Sequence, residues 1–313
     1  MKATIINNSN PYFLLPMNPL AFFLLLCFSS SAIAQHSVYE LMANYHENIT
    51  DLTYLKIGDQ ELKLDIYRLG DHIGEPPWME YPEGKRPTLI YIHGGGWVAL
   101  DKSVVMMKFL PYLENGWTVV NVNYRQGVGT APAAVVDCRC ALNWVYENSD
   151  KYGFDTDRIV LSGASAGGHL SLITGMKDAD HYDSPCQINR DLKVAAIVNW
   201  FGVSRLSAYQ NPETGEHNIY WMKKGDDFEE LNRRVSPVYY VNSNTPPIIT
   251  IHGDKDTSVP YSHATELHEA LDKAGLKHEL HTVKNGKHGG FTANELSLCF
   301  EKIWAFLDAH VGN

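Results

Sequence analysis

The chain has 313 residues, 44% of them hydrophobic and 20% charged, with a formal net charge of −10. That balance fits a core-forming globular protein and is long enough for one large α/β domain undivided. The acidic surface excludes nucleic acid and an anionic membrane face as expected partners, since the Lys223-Lys224 pair reads as a solvated face and no longer basic run occurs.

In chain order, the first feature is Leu20-Ala21-Phe22-Phe23-Leu24-Leu25-Leu26-Cys27-Phe28, an apolar run too short to span a bilayer. Ser29-Ser30-Ser31-Ala32-Ile33-Ala34 follows and ends in a small-x-small pattern. Together they read as a signal peptide, residues 1–34, cleaved after Ala34, which implies a secreted or periplasmic protein without stable membrane insertion. The start stays open between Met1 and Met17, because the polar stretch before the apolar run carries only Lys2.

Residues 35–313 read as the folded domain. Strand patterns cover 53–57 and 62–68, joined as an antiparallel hairpin by Gly58-Asp59-Gln60-Glu61. Strands at 88–93, 117–123, 158–163, 194–200, 247–252 and 278–283 then alternate with helices near 103–115, 132–149, 166–177, 261–275 and 293–309. The alternation predicts a mostly parallel central sheet with helices on both faces and a site at the carboxyl ends of its strands. Residues 36–52 and 202–245 fall outside that pattern and are expected to form a small cap, with Tyr209, Tyr220, Trp221 and Met222 as a wall or as packing.

Four motifs sit at predicted strand ends. Leu89-Ile90-Tyr91-Ile92-His93-Gly94-Gly95-Gly96-Trp97 runs from a buried-type strand into three glycines, which bring peptide N–H groups close to an anion. A dinucleotide cradle would need spaced glycines and an acid about 20 positions on, and neither is present. Ile159-Val160-Leu161-Ser162-Gly163-Ala164-Ser165-Ala166-Gly167-Gly168 is a strand, a Gly-x-Ser-x-Gly turn and a helix start, the geometry that exposes a serine nucleophile. A bare glycine turn is the alternative, and the apolar strand before it and helix pattern after it argue against that.

His252-Gly253-Asp254-Lys255-Asp256-Thr257-Ser258-Val259-Pro260 and Lys284-Asn285-Gly286-Lys287-His288-Gly289-Gly290-Phe291 complete the set in the order Ser, Asp, His. His288 suits a general base and then a general acid, and an aspartate would hold its tautomer.

These motifs resemble the α/β-hydrolase superfamily over about residues 50 to 310. Within it the chain is similar to esterases and lipases with the His-Gly-Gly-Gly oxyanion signature, and more narrowly to bacterial carboxylesterases, feruloyl esterases included. The resemblance implies an α/β-hydrolase fold and cleavage of a small-molecule or oligosaccharide ester, short-chain or aryl, feruloyl and acetyl esters of plant polysaccharide included. It implies Ser165 as nucleophile, His288 as base and Asp256, rather than the nearby Asp254, as acid, with Gly95, Gly96 and Ala166 as oxyanion donors. It names no cofactor. Trp97, His169, Tyr209, Tyr220 and Trp221 are the candidate substrate contacts. A serine peptidase or amidase of the same fold and a non-catalytic binding module are the rival readings; the first generally carries a further large domain, the second a broken triad.

Arg125 after Asn123-Tyr124 reads as a structural ion-pair partner, and Asp155 and Asp157 before Arg158 read as turn residues. Without Cys-x-x-Cys or His-Glu-x-x-His spacing no metal site is expected. Cys138, Cys140, Cys186 and Cys299 permit disulfides, but Cys138 and Cys140, two apart on a helix, point to different sides and should not pair with each other. Oligomeric state is not legible.

Overall fold

The structure is a computed structural model that describes residues 46–69, 84–104, 106–176, 184–209, 219–223 and 227–312. All of them belong to one compact unit that begins at His46. The expected signal peptide and residues 36–45 lie outside the described residues.

Eight strands make one sheet in the order β1-β2-β4-β3-β5-β6-β7-β8. They are β1 His46–Ile57, β2 Gln60–Leu69, β3 Arg86–Ile92, β4 Thr118–Val122, β5 Phe154–Ala164, β6 Ala196–Trp200, β7 Ile248–Gly253 and β8 His278–Val283. The hairpin β1–β2 is antiparallel, and β2 joins β4 antiparallel. From β4 to β8 every pairing is parallel.

The α-helices are α1 Met106–Glu114, α2 Ala133–Glu147, α3 Ala166–Met176, α4 Phe228–Val235, α5 Ser262–Lys273 and α6 Ala293–His310, with a single turn at Ser149–Tyr152. The period-2 alternation of the central strands divides the core. Leu89, Tyr91, Val160, Val198 and Ile249 pack with Phe109, Leu113, Ile303 and Phe306 of α1 and α6. Ile90, Leu161, Ile197 and Ile248 pack with Leu142, Leu172 and Leu271 of α2, α3 and α5. Each of these central strands is therefore apolar on both faces, as a parallel sheet covered by helices requires.

Residues 46–52 do not join a cap. They extend β1, where Ile49 pairs with Ile66 and Leu52 with Leu64 across a bulge. Both side chains pack against the core. At the bulge the Asp51 N–H donates to Asp65 at 2.8 Å, and the buried Lys102 ammonium spans Asp51 and Asp65 at 3.0 and 2.8 Å. A polar clasp outside the apolar pattern thus fixes the register that apolar residues alone would leave loose.

The segment between β6 and β7 folds over the carboxyl end of the sheet through a 3-10 turn at Leu206–Tyr209, α4 and a second 3-10 turn at Pro237–Tyr240. Asp227 caps α4 by accepting the Glu230 N–H. Leu206, Ile219, Trp221, Met222, Leu231 and Val235 form a cluster of their own with Trp97, Tyr124 and Leu170.

Cys140 of α2 is disulfide-bonded to Cys186, 46 residues away. Cys138 and Cys299 are buried free thiols. Arg125 grips the buried Asp137 with two guanidinium nitrogens at 2.7 to 3.0 Å, and Asp155 accepts from Arg158 and from the Asp157 N–H.

Candidate active site

Ser165 stands between β5 and α3 with φ +58°, the left-handed region, and its N–H donates to the Trp200 carbonyl at 2.9 Å. Such a conformation is held only where the surroundings over-determine it. Here the reason is close approach. A Cβ on Gly167 would lie 2.0 Å from the Ile92 carbonyl oxygen, and one on Gly163 would lie 2.4 Å from it. The two glycines let the turn sit directly on the end of β3.

His288, in the loop after β8, reaches Ser165 Oγ with Nε2 at 3.0 Å. Its Nδ1 is 2.7 Å from Asp256 Oδ2. The other oxygen of Asp256 accepts the N–H groups of Ser258 and Val259 at 2.8 and 2.9 Å, and the carboxylate is fully buried. Asp254 has a different place: Oδ1 accepts the Asn285 N–H at 2.6 Å and ties down the loop that carries His288. A second imidazole, His252, adjoins Asp256 at 3.4 Å, but its Nε2–H donates to the Val259 carbonyl at 2.9 Å. Burial pushes its basicity down. Such a line of hydroxyl, imidazole and carboxylate can move a proton from the serine as it attacks and return it to a leaving group.

A cavity of about 300 Å³ opens over Ser165. Gly96 and Ala166, two of the three expected oxyanion donors, line it. Gly95 is outside the lining, and its carbonyl accepts the N–H groups of Val98 and Ala99 at 3.1 and 3.0 Å. Trp97, Tyr209 and Tyr220 also line it, joined by Val203, Ile219 and Val259. Tyr220 is 73% exposed, so its ring has free area to offer a ligand.

His169 and Trp221 do not contact the cavity, contrary to the sequence expectation. Both are fully buried behind Trp97. Trp221 stacks on Trp97 with centroids 5.0 Å apart and planes 14° from parallel. His169 accepts the Trp97 indole N–H on Nδ1 at 3.0 Å and donates from Nε2 to the Val235 carbonyl at 2.6 Å. Burial pushes its pKa down to about 4, so it stays neutral and serves as a hydrogen-bond relay within the wall.

Sequence reasoning missed the brace of the glycine loop. The Tyr124 hydroxyl donates to the His93 and Gly94 carbonyls at 3.1 Å, and the Tyr124 ring stacks on His93. The signal was present in Asn123-Tyr124-Arg125, where the arginine holds Asp137 and the tyrosine does the bracing. Phe201, which meets the His288 ring edge-on at 4.8 Å, had no motif to announce it.

The BD-FAE family model matches residues 79–271, more than half of the chain. The chain belongs to the BD-FAE family. Esterase LipQ of Mycobacterium tuberculosis is 32% identical over 238 residues, 74% of this chain and 54% of LipQ. The BD-FAE chain spans about half the length of the curated relatives it matches. Among solved structures, a truncated carbohydrate esterase from gut microbiota superposes with TM-score 0.68 at 24% identity, over 84% of this chain and 97% of that one. The propionate-bound thermophilic esterase Est2 of Thermogutta terrifontis gives TM-score 0.68 at 25% identity, over 86% and 95%. The fold of this BD-FAE chain is that of the α/β-hydrolase esterases.

Proposed function

We propose that this protein is a secreted or periplasmic serine carboxylesterase that acts through an acyl-enzyme on short-chain or aryl esters. The observation that carries the reading is the alignment of Ser165 Oγ, His288 and Asp256 at 3.0 and 2.7 Å on a left-handed serine at the floor of an open cavity. His288 takes the serine proton as Oγ attacks the ester carbonyl, and the N–H groups of Gly96 and Ala166, which line the cavity beside Ser165, receive the negative charge on the carbonyl oxygen. The protonated imidazole then gives its proton to the departing alcohol. Water, activated by the same histidine, releases the acid.

The shape of the cavity supports small acyl groups. At about 300 Å³ and bordered by the exposed Tyr220, it is sized for a short acyl chain. LipQ is named an esterase and Est2 is described with propionate bound, which fits the same class. Acetyl or feruloyl esters of plant polysaccharide are the natural candidates, the latter through stacking on Tyr209 and Tyr220 worth about 0.5–1.5 kcal/mol. The Cys140–Cys186 disulfide supports an oxidising compartment and hence removal of residues 1–34 on export. N-terminal sequencing of the mature protein should begin at Gln35.

The test is kcat/KM across p-nitrophenyl esters from two to sixteen carbons, with methyl ferulate and acetylated xylan beside them. A maximum at two to four carbons, abolished by Ser165→Ala in a protein of unchanged fold, is the expected result. Wild-type rates in the Ser165→Ala variant would remove the serine from the mechanism, and an optimum at ten carbons or more would overturn the short-chain reading.

A further inference from the structure

A second cavity, of about 250 Å³, adjoins the His288 loop and shares no lining residue with the first. Its walls are Lys108 of α1, Trp200 and Phe201 at the end of β6, Phe291, and Leu296 and Phe300 of α6. Gly289 and Gly290, directly after His288, form one edge. Phe201 lines this second cavity, and its ring meets the His288 imidazole at 4.8 Å.

Position relative to His288 assigns the cavity a side of the ester. The oxyanion donors Gly96 and Ala166 belong to the first cavity, where the carbonyl must sit. The leaving oxygen receives its proton from His288 as the C–O bond breaks, so the alcohol half departs on the imidazole side. The second cavity is joined to that imidazole through Gly289 and Gly290, which edge it, and Phe201, which touches the His288 ring.

Its composition assigns a chemistry. Four aromatic rings and a leucine make it suited to a flat apolar group. Among this lining Lys108 is the one charged residue, with its ammonium 5.2 Å from the Phe201 ring centroid. No carboxylate among the described residues forms an ion pair with it. Burial lowers its basicity, the mark of a cation that has lost water without gaining an anion.

We propose that the second cavity is the leaving-group subsite and that it takes an aromatic alcohol bearing a carboxylate, with the ring among Phe201, Phe291 and Phe300 and the carboxylate on Lys108. The proposal rests on the ester-hydrolase reading for the direction of departure, while binding of the free alcohol does not depend on turnover. Lys108 is thereby a specificity residue, remote from the reacting atoms.

Two measurements on the full mature chain test it. The first is the ratio of kcat/KM for 4-acetoxybenzoate to that for phenyl acetate, which share acyl group and ring and differ in the carboxylate. The ratio should fall about tenfold in Lys108→Met and recover in Lys108→Arg, since a charge-assisted contact is worth at least that much. The second is calorimetric binding of 4-hydroxybenzoate, the product alcohol, whose Kd should rise about tenfold in Lys108→Met. An unchanged ratio and an unchanged Kd would overturn the subsite. Weakened 4-hydroxybenzoate binding in a protein that hydrolyses neither ester would support the subsite and sink the ester-hydrolase reading instead.

Discussion

The indole N–H of Trp97 donates to Nδ1 of His169 at 3.0 Å, and this one bond couples the wall of the cavity to the protein interior. With Nε2–H on the Val235 carbonyl, the imidazole bridges the glycine loop and the end of α4 in a single neutral tautomer. A proton added to Nδ1 would break the bond to Trp97.

This coupling predicts acid lability. Burial pushes His169 and His263 down to about 4, against an ordinary histidine value of about 6.5 in the unfolded chain. The unfolded state therefore binds more protons between those values, so stability is complete above about pH 6.5 and is lost as pH falls toward 4. The loss should reach on the order of 3 kcal/mol per histidine. Urea midpoints from pH 7.5 to 4.5 would show it, and His169→Gln should flatten the slope relative to the parent. A parent curve without slope in that window would contradict the buried neutral assignment.

The two aspartates of the His252 loop should separate by activity. Asp256→Asn removes the acceptor of the His288 Nδ1 proton and should lower kcat by roughly 10³- to 10⁴-fold, the scale known for a serine-protease triad. Asp254→Asn loosens only the backbone tie to Asn285 and should cost about tenfold or less. Steady-state kinetics on both variants decide it; the reverse ranking would hand the triad to Asp254.

Trp221 and Tyr220 are neighbours in sequence with opposite expected phenotypes. Trp221→Ala empties a fully buried site behind Trp97 and should lower stability by about 3–5 kcal/mol. Tyr220→Ala, at an exposed ring on the cavity rim, should leave the melting temperature within about a degree and raise KM for aryl esters. Thermal melts and Michaelis curves on the pair would expose an exchange of these roles.

The disulfide closes a loop between residues 46 apart, and chain-entropy reasoning assigns it about 4 kcal/mol as an upper bound. Denatured, non-reduced protein that begins at Gln35 should therefore titrate two thiols, Cys138 and Cys299. Cys140→Ser with Cys186→Ser should lower the unfolding midpoint. Four thiols in the oxidised parent would mean the bond does not form.

What was legible in the order of residues is local. Strand and helix patterns depend on side chains two or three to four positions apart, and the glycine-flanked turns at Ser165, Gly94-Gly95-Gly96 and His288 declare themselves by the residues a tight backbone excludes. The capping box that starts α6, Thr292 with Glu295, is of the same kind. Which distant groups meet depends on the packing of the whole chain. Cys186 rather than Cys299 reaches Cys140, the chain from 46 to 52 pairs with β2 instead of covering the site, and Asp256 rather than Asp254 faces His288. His169 shows why most plainly: four positions after Ser165 in sequence, it points along α3 into a cluster made by Trp97, Trp221 and Val235. Whether a side chain touches substrate or backs the residue that does is set by the packing of three segments far apart in the chain, and no pattern within any one of them carries that information.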